Sequence, residues 1–167
     1  MRRLQFTNVQ VFDGSGASRF PATVVVAGEH IEGIYRDKVT TPALTDTIID
    51  GQGRTLMPGL VESHAHLTWP SSVERVVNAM KLPAEEHLLV SAQNARITLD
   101  HGFTSAYSAG SLGEKFEPAL RDRINAGGLP GPRLRASALE KGAEGVMGVP
   151  AGMTPRMIAA SRDLKPM

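Results

Sequence analysis

The chain contains no cysteine. That excludes a disulfide scaffold and any thiolate metal site, and it fits a reducing, cytoplasmic setting. An excess of charge is also missing: 18 basic against 17 acidic side chains leave a net charge of +1. No basic run is longer than Arg2-Arg3, so the electrostatic footprint of a nucleic-acid partner is absent. No stretch approaches the ~18 consecutive apolar residues that read as a membrane span. Met1-Arg2-Arg3-Leu4-Gln5-Phe6 is followed by polar residues rather than an apolar h-region, so it does not read as a secretory signal. What remains is a globular composition, 41% hydrophobic and 21% charged over 167 residues, with 17 glycines and 11 prolines. A chain of this length hides roughly two-thirds of its unfolded surface and suits one ordinary domain.

Residues 1–57 read as closely spaced short strands. Residues 4–12 are rich in Leu, Phe and Val and stop at the turn-forming Asp13-Gly14-Ser15-Gly16. Residues 22–27, with Thr23 and Val24 to Val26, end at Gly28-Glu29 and resume at 31–35, the pattern of a hairpin. Residues 48–50 and 55–57 flank Gly51-Gln52-Gly53 and predict a second hairpin, so the expected layer is small and antiparallel. From residue 58 to 167 the period changes. Gly59-Leu60-Val61 reads as a strand buried on both faces. Leu88, Ala92, Ala95 and Leu99 mark one helical face over residues 84–101. Pro83 is tolerated at that helix's start, Glu85 and Glu86 complement its positive end, and Gly102 caps its C-terminus. A second strand over 103–107, a second helix over 114–126 with Phe116, Leu120 and Ile124, and a third strand over 134–139 follow. Strand, helix, strand, helix, strand is the order of parallel βαβ units. Residues 142–157 read as a glycine-rich loop, and 158–164 as the beginning of a helix.

The sharpest feature is Glu62-Ser63-His64-Ala65-His66, directly after the buried run. On a strand, residues two apart share a face, so His64 and His66 point the same way. Two neutral imidazoles on one face at the C-terminal end of a parallel strand, where α/β folds build their sites, can hold one divalent cation. The plain alternative is a pair of hydrogen-bonded or solvated strand-end residues. By the same alternation Glu62 shares the histidine face and can orient a ligand histidine from behind it. A carboxylate paired with a nearby base is the equal alternative. The remaining histidines read otherwise: His101 in a last helical turn, where the dipole favours a cation, His87 on a solvated helix face beside Glu86, and His30 in a hairpin turn. Arg133 reads as a salt bridge or a cap on backbone carbonyls. The 142–152 segment lacks Gly-Lys-Ser/Thr and is no phosphate cradle.

Pro58-Gly59-Leu60-Val61-Glu62-Ser63-His64-Ala65-His66-Leu67 resembles the metal-binding segment of the amidohydrolase superfamily. There a β-rich N-terminal segment leads into Pro-Gly-Leu-Ile-Asp-x-His-x-His at the end of the first barrel strand. His101-Gly102-Phe103-Thr104-Ser105-Ala106 is similar to that family's Gly-hydrophobic-Thr-Thr second strand. Ala126-Gly127-Gly128-Leu129-Pro130-Gly131-Pro132-Arg133-Leu134 is similar to its Gly-x-x-x-Gly-Pro-Arg entry to the third strand, as in prolidase-like and imidazolonepropionase-like members. The resemblance runs from about residue 4 to about residue 140 and departs at Glu62, where the family usually has Asp. It implies an α/β fold, a small N-terminal β-sandwich layer followed by the first βαβαβ part of a (β/α)8 TIM barrel. It implies a divalent metal on His64 and His66, one ion or two, with zinc the default and manganese, iron, cobalt or nickel equally compatible with imidazoles. The implied reaction is hydrolysis of a C–N bond in a small amide, peptide-like or cyclic amide substrate by metal-activated water. Trp69, after the histidines, and Tyr107 and Ser108, at the end of the second strand, are the implied pocket residues; a core-covering role for Trp69 and a structural one for Tyr107 stay open. The family's bridging lysine, later histidines and acid/base aspartate have no match, since Lys141 follows the third strand instead of ending a fourth. The catalytic residues are therefore unknown.

A barrel of that type takes about 250 residues, and the sequence supplies three of its strands. Three parallel strands leave an open edge and uncovered apolar surface. The expectation is a truncated or split barrel that oligomerises with itself or associates with a complementing C-terminal half. A non-catalytic module that folds or functions only with a partner chain is the alternative.

Overall fold

A computed structural model of the protein describes residues 3–36, 46–69 and 83–138, with Ala84 placed through its backbone alone. The segments 142–157 and 158–164, Lys141 and the last residue of the expected third strand lie outside the described residues. The backbone divides into two compact units, Met1–Pro58 and Gly59–Met167.

In the first unit, β1 (Arg3–Val11), β2 (Phe20–Ala27), β3 (His30–Tyr35), β4 (Thr47–Asp50) and β5 (Thr55–Leu56) form one five-stranded sheet. The strands β1, β2 and β3 run antiparallel as a meander. Gly28 at φ 61° makes the turn between β2 and β3, a conformation that favours glycine. Val9 and Val11 of β1 pack with Ala22 and Val24 of β2, so period-two alternation builds the core of this sheet.

The expected second hairpin does not form. Both β4 and β5 pair parallel to β1, residues 4–7 with β4 and residues 10–11 with β5. A bulge in β1 is the reason. Its pairing to β2 slips between Phe6 and Val9, and Asn8 adopts φ 51°. Gly51-Gln52-Gly53 follows the bulge, with the Gly51 N–H donating to Thr7 O at 2.8 Å and the Gly53 N–H to Asn8 O at 2.7 Å. Asp50 Oδ1 accepts the Gln52 N–H at 2.8 Å and Asn8 Nδ2 at 3.2 Å. The glycine turn therefore steps along one edge of β1 instead of reversing the chain, and the layer is mixed, not antiparallel.

In the second unit, β6 (Leu60–Ala65), α1 (Ala84–Asp100), β7 (Phe103–Ser108), α2 (Phe116–Asn125) and β8 (Arg133–Arg135) alternate, and the strands form a parallel sheet in the order β6-β7-β8. Pro83 immediately precedes α1 at φ −56° and ψ 152°, Glu85 and Glu86 occupy its first turn, and Gly102 at φ 90° ends it. His101 Nδ1 donates to Ile97 O at 2.8 Å, satisfying a carbonyl that the helix end leaves open. Ala65, Ala106 and Leu134 of the sheet region pack with Leu67, Ala95 of α1 and Leu120 of α2.

Two expectations change here. The buried stripe of α1 runs through His87, Ser91 and Ala95, rotated by about one position from Leu88-Ala92-Ala95-Leu99. Small Ser91 and Ala95 suit close packing, while Leu88 and Ala92 stand half-buried beside an apolar cleft that Leu120 and Leu129 also line. His87 is consequently 1% exposed, not solvated, with its ring 4.7 Å from that of Phe116. The run at Leu60-Val61 is not buried on both faces: the two residues are 42% and 56% exposed. Among the described residues of this unit β6 is an edge strand with β7 as its neighbour, and the helices cover one face of the sheet only.

Candidate functional site

The ladder between β6 and β7 ends where Ala65 O accepts the Ala109 N–H at 2.8 Å, and the chain then turns, with the Trp69 N–H donating to His66 O at 3.0 Å. His64 is exposed near the end of β6, and His66 is half-buried one residue beyond it. Their Nε2 atoms are 3.3 Å apart and their rings are steeply inclined, at 75°, with centroids 5.1 Å apart. His66 Nδ1 lies 3.0 Å from Gly110 O. A carbonyl oxygen only accepts, so Nδ1 carries the proton and a neutral ring keeps its lone pair on Nε2, the tautomer of a metal ligand. Two nitrogens each bound at the usual zinc–imidazole distance in a tetrahedral site are about 3.3 Å apart. The donor pair therefore fits a divalent metal such as zinc. Without metal the same separation is a hydrogen bond donated by His64 Nε2–H. Among the described residues no group of three or more His, Cys, Asp or Glu side chains converges on such a point.

Glu62 lines one open depression with His64 and His66. The register breaks between Glu62 and Ala65, and Glu62 pairs with Ala106, a fully buried residue of the helix-covered side. Its Oε1 accepts the His64 N–H at 3.0 Å, so it fixes the main chain at His64 and not an imidazole. Trp69 lies with its ring 4.6 Å from that of His66, and its Nε1 is buried without a hydrogen-bond partner among the described residues. Tyr107 is 51% exposed and lines a different depression, with Val61, Ser105, Arg133 and Arg135. Ser108 is nearer the histidines in effect: its Oγ lies 2.8 Å from Ser137 Oγ and accepts the Gly110 N–H at 3.2 Å, steadying the residue whose carbonyl holds His66. Arg133 Nε donates to Ser105 Oγ at 3.4 Å.

Two residues escaped the sequence reading. Asn94 Nδ2 donates to Leu67 O at 2.9 Å and Trp69 O at 3.0 Å, tying the segment after the histidines to α1. Glu117 lies in the first turn of α2 with no exposed surface, its Oε2 accepting the Ser137 N–H at 3.2 Å and its Oε1 buried without a hydrogen-bond partner. Burial pushes its pKa up, against the opposing pull of the Ser108 hydroxyl, the Ser137 and Leu67 N–H groups and the charge of His66. The signal for Glu117 was its position between Phe116 and Leu120 on the buried helical stripe.

No family model matches the chain, and no curated protein matches it. Among solved structures it is similar to a Xaa-Pro dipeptidase with methionine bound in the active site, at 27% identity and a TM-score of 0.70 over 82% of this chain and 33% of that one. It is also similar to phenylurea hydrolase B, at 26% identity and a TM-score of 0.69 over 82% of this chain and 30% of that one. A prolidase complexed with N-methylphosphonate-L-proline matches at 25% identity and a TM-score of 0.67, over 79% of this chain and 31% of that one. The chain spans about a third of the length of each of these relatives.

Proposed function

We propose, for a chain whose fold is that of the amidohydrolase superfamily, that it carries the beginning of a metal-dependent hydrolase site with His64 and His66 as two of the metal's ligands. The observation that carries this reading is the 3.3 Å separation of the two Nε2 atoms, with His66 Nδ1 engaged by Gly110 O. In this reading the sheet β6-β7-β8 and its two helices are the first βαβαβ part of a (β/α)8 barrel, preceded by the β-layer of residues 1–57. The structural neighbours include a dipeptidase, a prolidase and a phenylurea hydrolase, which supports hydrolysis of a C–N bond in a small amide, peptide-like or cyclic amide substrate.

A bound metal, zinc by default, supplies Lewis acidity that polarises a carbonyl and acidifies a water. The protein's own part is positional. His64 and His66 bind, Glu62 fixes the main chain under His64, and Gly110 sets the tautomer of His66. Asn94 anchors the segment that sets the Trp69 ring against His66, where it excludes water from one side of that imidazole. The general acid and base are supplied from outside the described residues, by further chain or by a complementing partner.

One observation favours a second reading, a non-catalytic module: among the described residues no third His, Cys, Asp or Glu is placed to share a metal with the pair. Zinc titration against a chromophoric chelator separates the two. The 167-residue chain takes up stoichiometric zinc under the first reading, and the His64→Ala/His66→Ala double variant takes up none. Equal zinc uptake by the double variant sinks the metal site. Hydrolysis of an Xaa-Pro dipeptide by the zinc-loaded chain, alone or with a complementing chain, then establishes the reaction class.

A further inference from the structure

Glu117 sits where three parallel strands end. It is buried in the first turn of α2, and its Oε2 accepts the N–H of Ser137, two residues beyond β8. Ser137 Oγ lies 2.8 Å from the Oγ of Ser108, the last residue of β7, and the Ser108 hydroxyl and the N–H of Leu67, two residues beyond β6, act electrostatically on the same carboxylate. A carboxylate is the side chain suited to this position, because it offers about four lone-pair sites and no competing donor. Placed in an apolar helix–sheet interface it is otherwise a costly choice. Its hydrogen bond to Ser137 leads on through Ser108 to His66, and Leu67 stands beside His66 in the chain. Ser108 Oγ accepts from Gly110, whose carbonyl oxygen engages His66 Nδ1.

We propose that Glu117 is the positioning residue of the histidine pair: by holding Ser137 beyond β8, which meets Ser108 at the end of β7, it steadies Gly110 and so the ring of His66, with Nε2 facing His64 Nε2. This rests on the metal reading of His64 and His66. Outer supports of metal-ligating histidines are worth about 10- to 100-fold in metal affinity, and Glu117 belongs in that range although it touches neither ligand through a direct hydrogen bond of its own.

The test is a zinc titration of the full chain and of its Glu117→Leu, Glu117→Gln and Leu120→Ala variants. It is combined with 15N spectra of the His66 ring and with amide hydrogen exchange at Leu67. Leu120 is equally buried one turn along the same helix and serves as the control for general loosening. The expected result is an about 10- to 100-fold loss of zinc affinity in Glu117→Leu and partial recovery in Glu117→Gln, which retains one accepting oxygen. The affinity of folded Leu120→Ala is unchanged. Unchanged affinity in Glu117→Leu overturns the proposal, and so does a loss in Leu120→Ala as large as in Glu117→Leu. Where Glu117→Leu does not fold, Glu117→Gln decides alone: its affinity and His66 ring signals matching the parent chain overturn the proposal. Where the parent chain binds no zinc, the metal reading falls, and the clamp is judged by His66 ring shifts and Leu67 exchange that change in Glu117→Leu and not in Leu120→Ala. Their constancy overturns it.

Discussion

A carboxylate taken out of water loses the hydration that favours its charged form, and at Glu117 that loss exceeds the help from Ser108, Ser137, Leu67 and His66. The sign of the consequence follows from linkage. A raised pKa means that the folded chain takes up a proton more readily than the unfolded one. The associated stability is present in full below the ordinary glutamate range and is lost as pH rises through the raised value. Glu117→Gln has no such proton to lose. Its stability relative to the parent chain therefore rises with pH above about 4.5, as read by urea denaturation at a series of pH values; a difference that is flat with pH contradicts the burial effect. The histidine pair was legible because strand parity and the surrounding motif both converge on it. Glu117 was not, since a glutamate in a first helical turn already has an ordinary explanation in the helix dipole.

Elements were legible to the extent that their punctuation is local. Pro83 and Gly102 bound α1, and Gly127 at φ 73° follows α2, each as turn chemistry dictates. The partner of an edge strand is not local. Gly51-Gln52-Gly53 between two apolar runs has the composition of a hairpin, and only the bulge at Asn8, some forty residues earlier in the chain, turns it into a step along β1. A methyl group at Gly51 would overlap Val9 Cγ1 and lie 3.0 Å from Asn8 O. Gly51→Ala is therefore expected to destabilise the first unit by about 1–3 kcal/mol; an unchanged denaturation midpoint would show that β4 and β5 do not track the bulge. The rotation of the α1 face has a similar origin. Leucines dominate a periodicity count, but Ser91 and Ala95 are the residues small enough to meet the sheet, which places Leu88 at the rim of a cleft.

At the scale of the whole molecule, apolar groups stay in water. Leu60, Val61 and Tyr107 of the second sheet are exposed, as are Leu89 and Ile97 on α1. Exposed apolar groups of this kind drive association, and among the described residues the outer edge of β6 has no pairing strand. Sedimentation velocity is expected to show concentration-dependent self-association of the 167-residue chain, reduced by Val61→Lys/Tyr107→Lys. Association that is indifferent to that pair of changes places the contact elsewhere. The order of strands and helices in the second unit was legible because βαβ connections join neighbours in sequence. The first unit was less so, because β1 lies inside its sheet and is paired on both sides.

That central position of β1 has a consequence in time. Synthesis delivers β1 before the strands that pair with it, and the meander with β2 and β3 is available once Tyr35 has been made. The far edge of β1 waits for Leu56, an interval of roughly 1–4 s at ordinary elongation rates. During it a strand of nine residues presents one unsatisfied side to every neighbouring nascent chain. The twist at Asn8 interrupts that side near its middle, so the same irregularity that later seats the glycine turn denies strangers a flat template in the interval before it arrives.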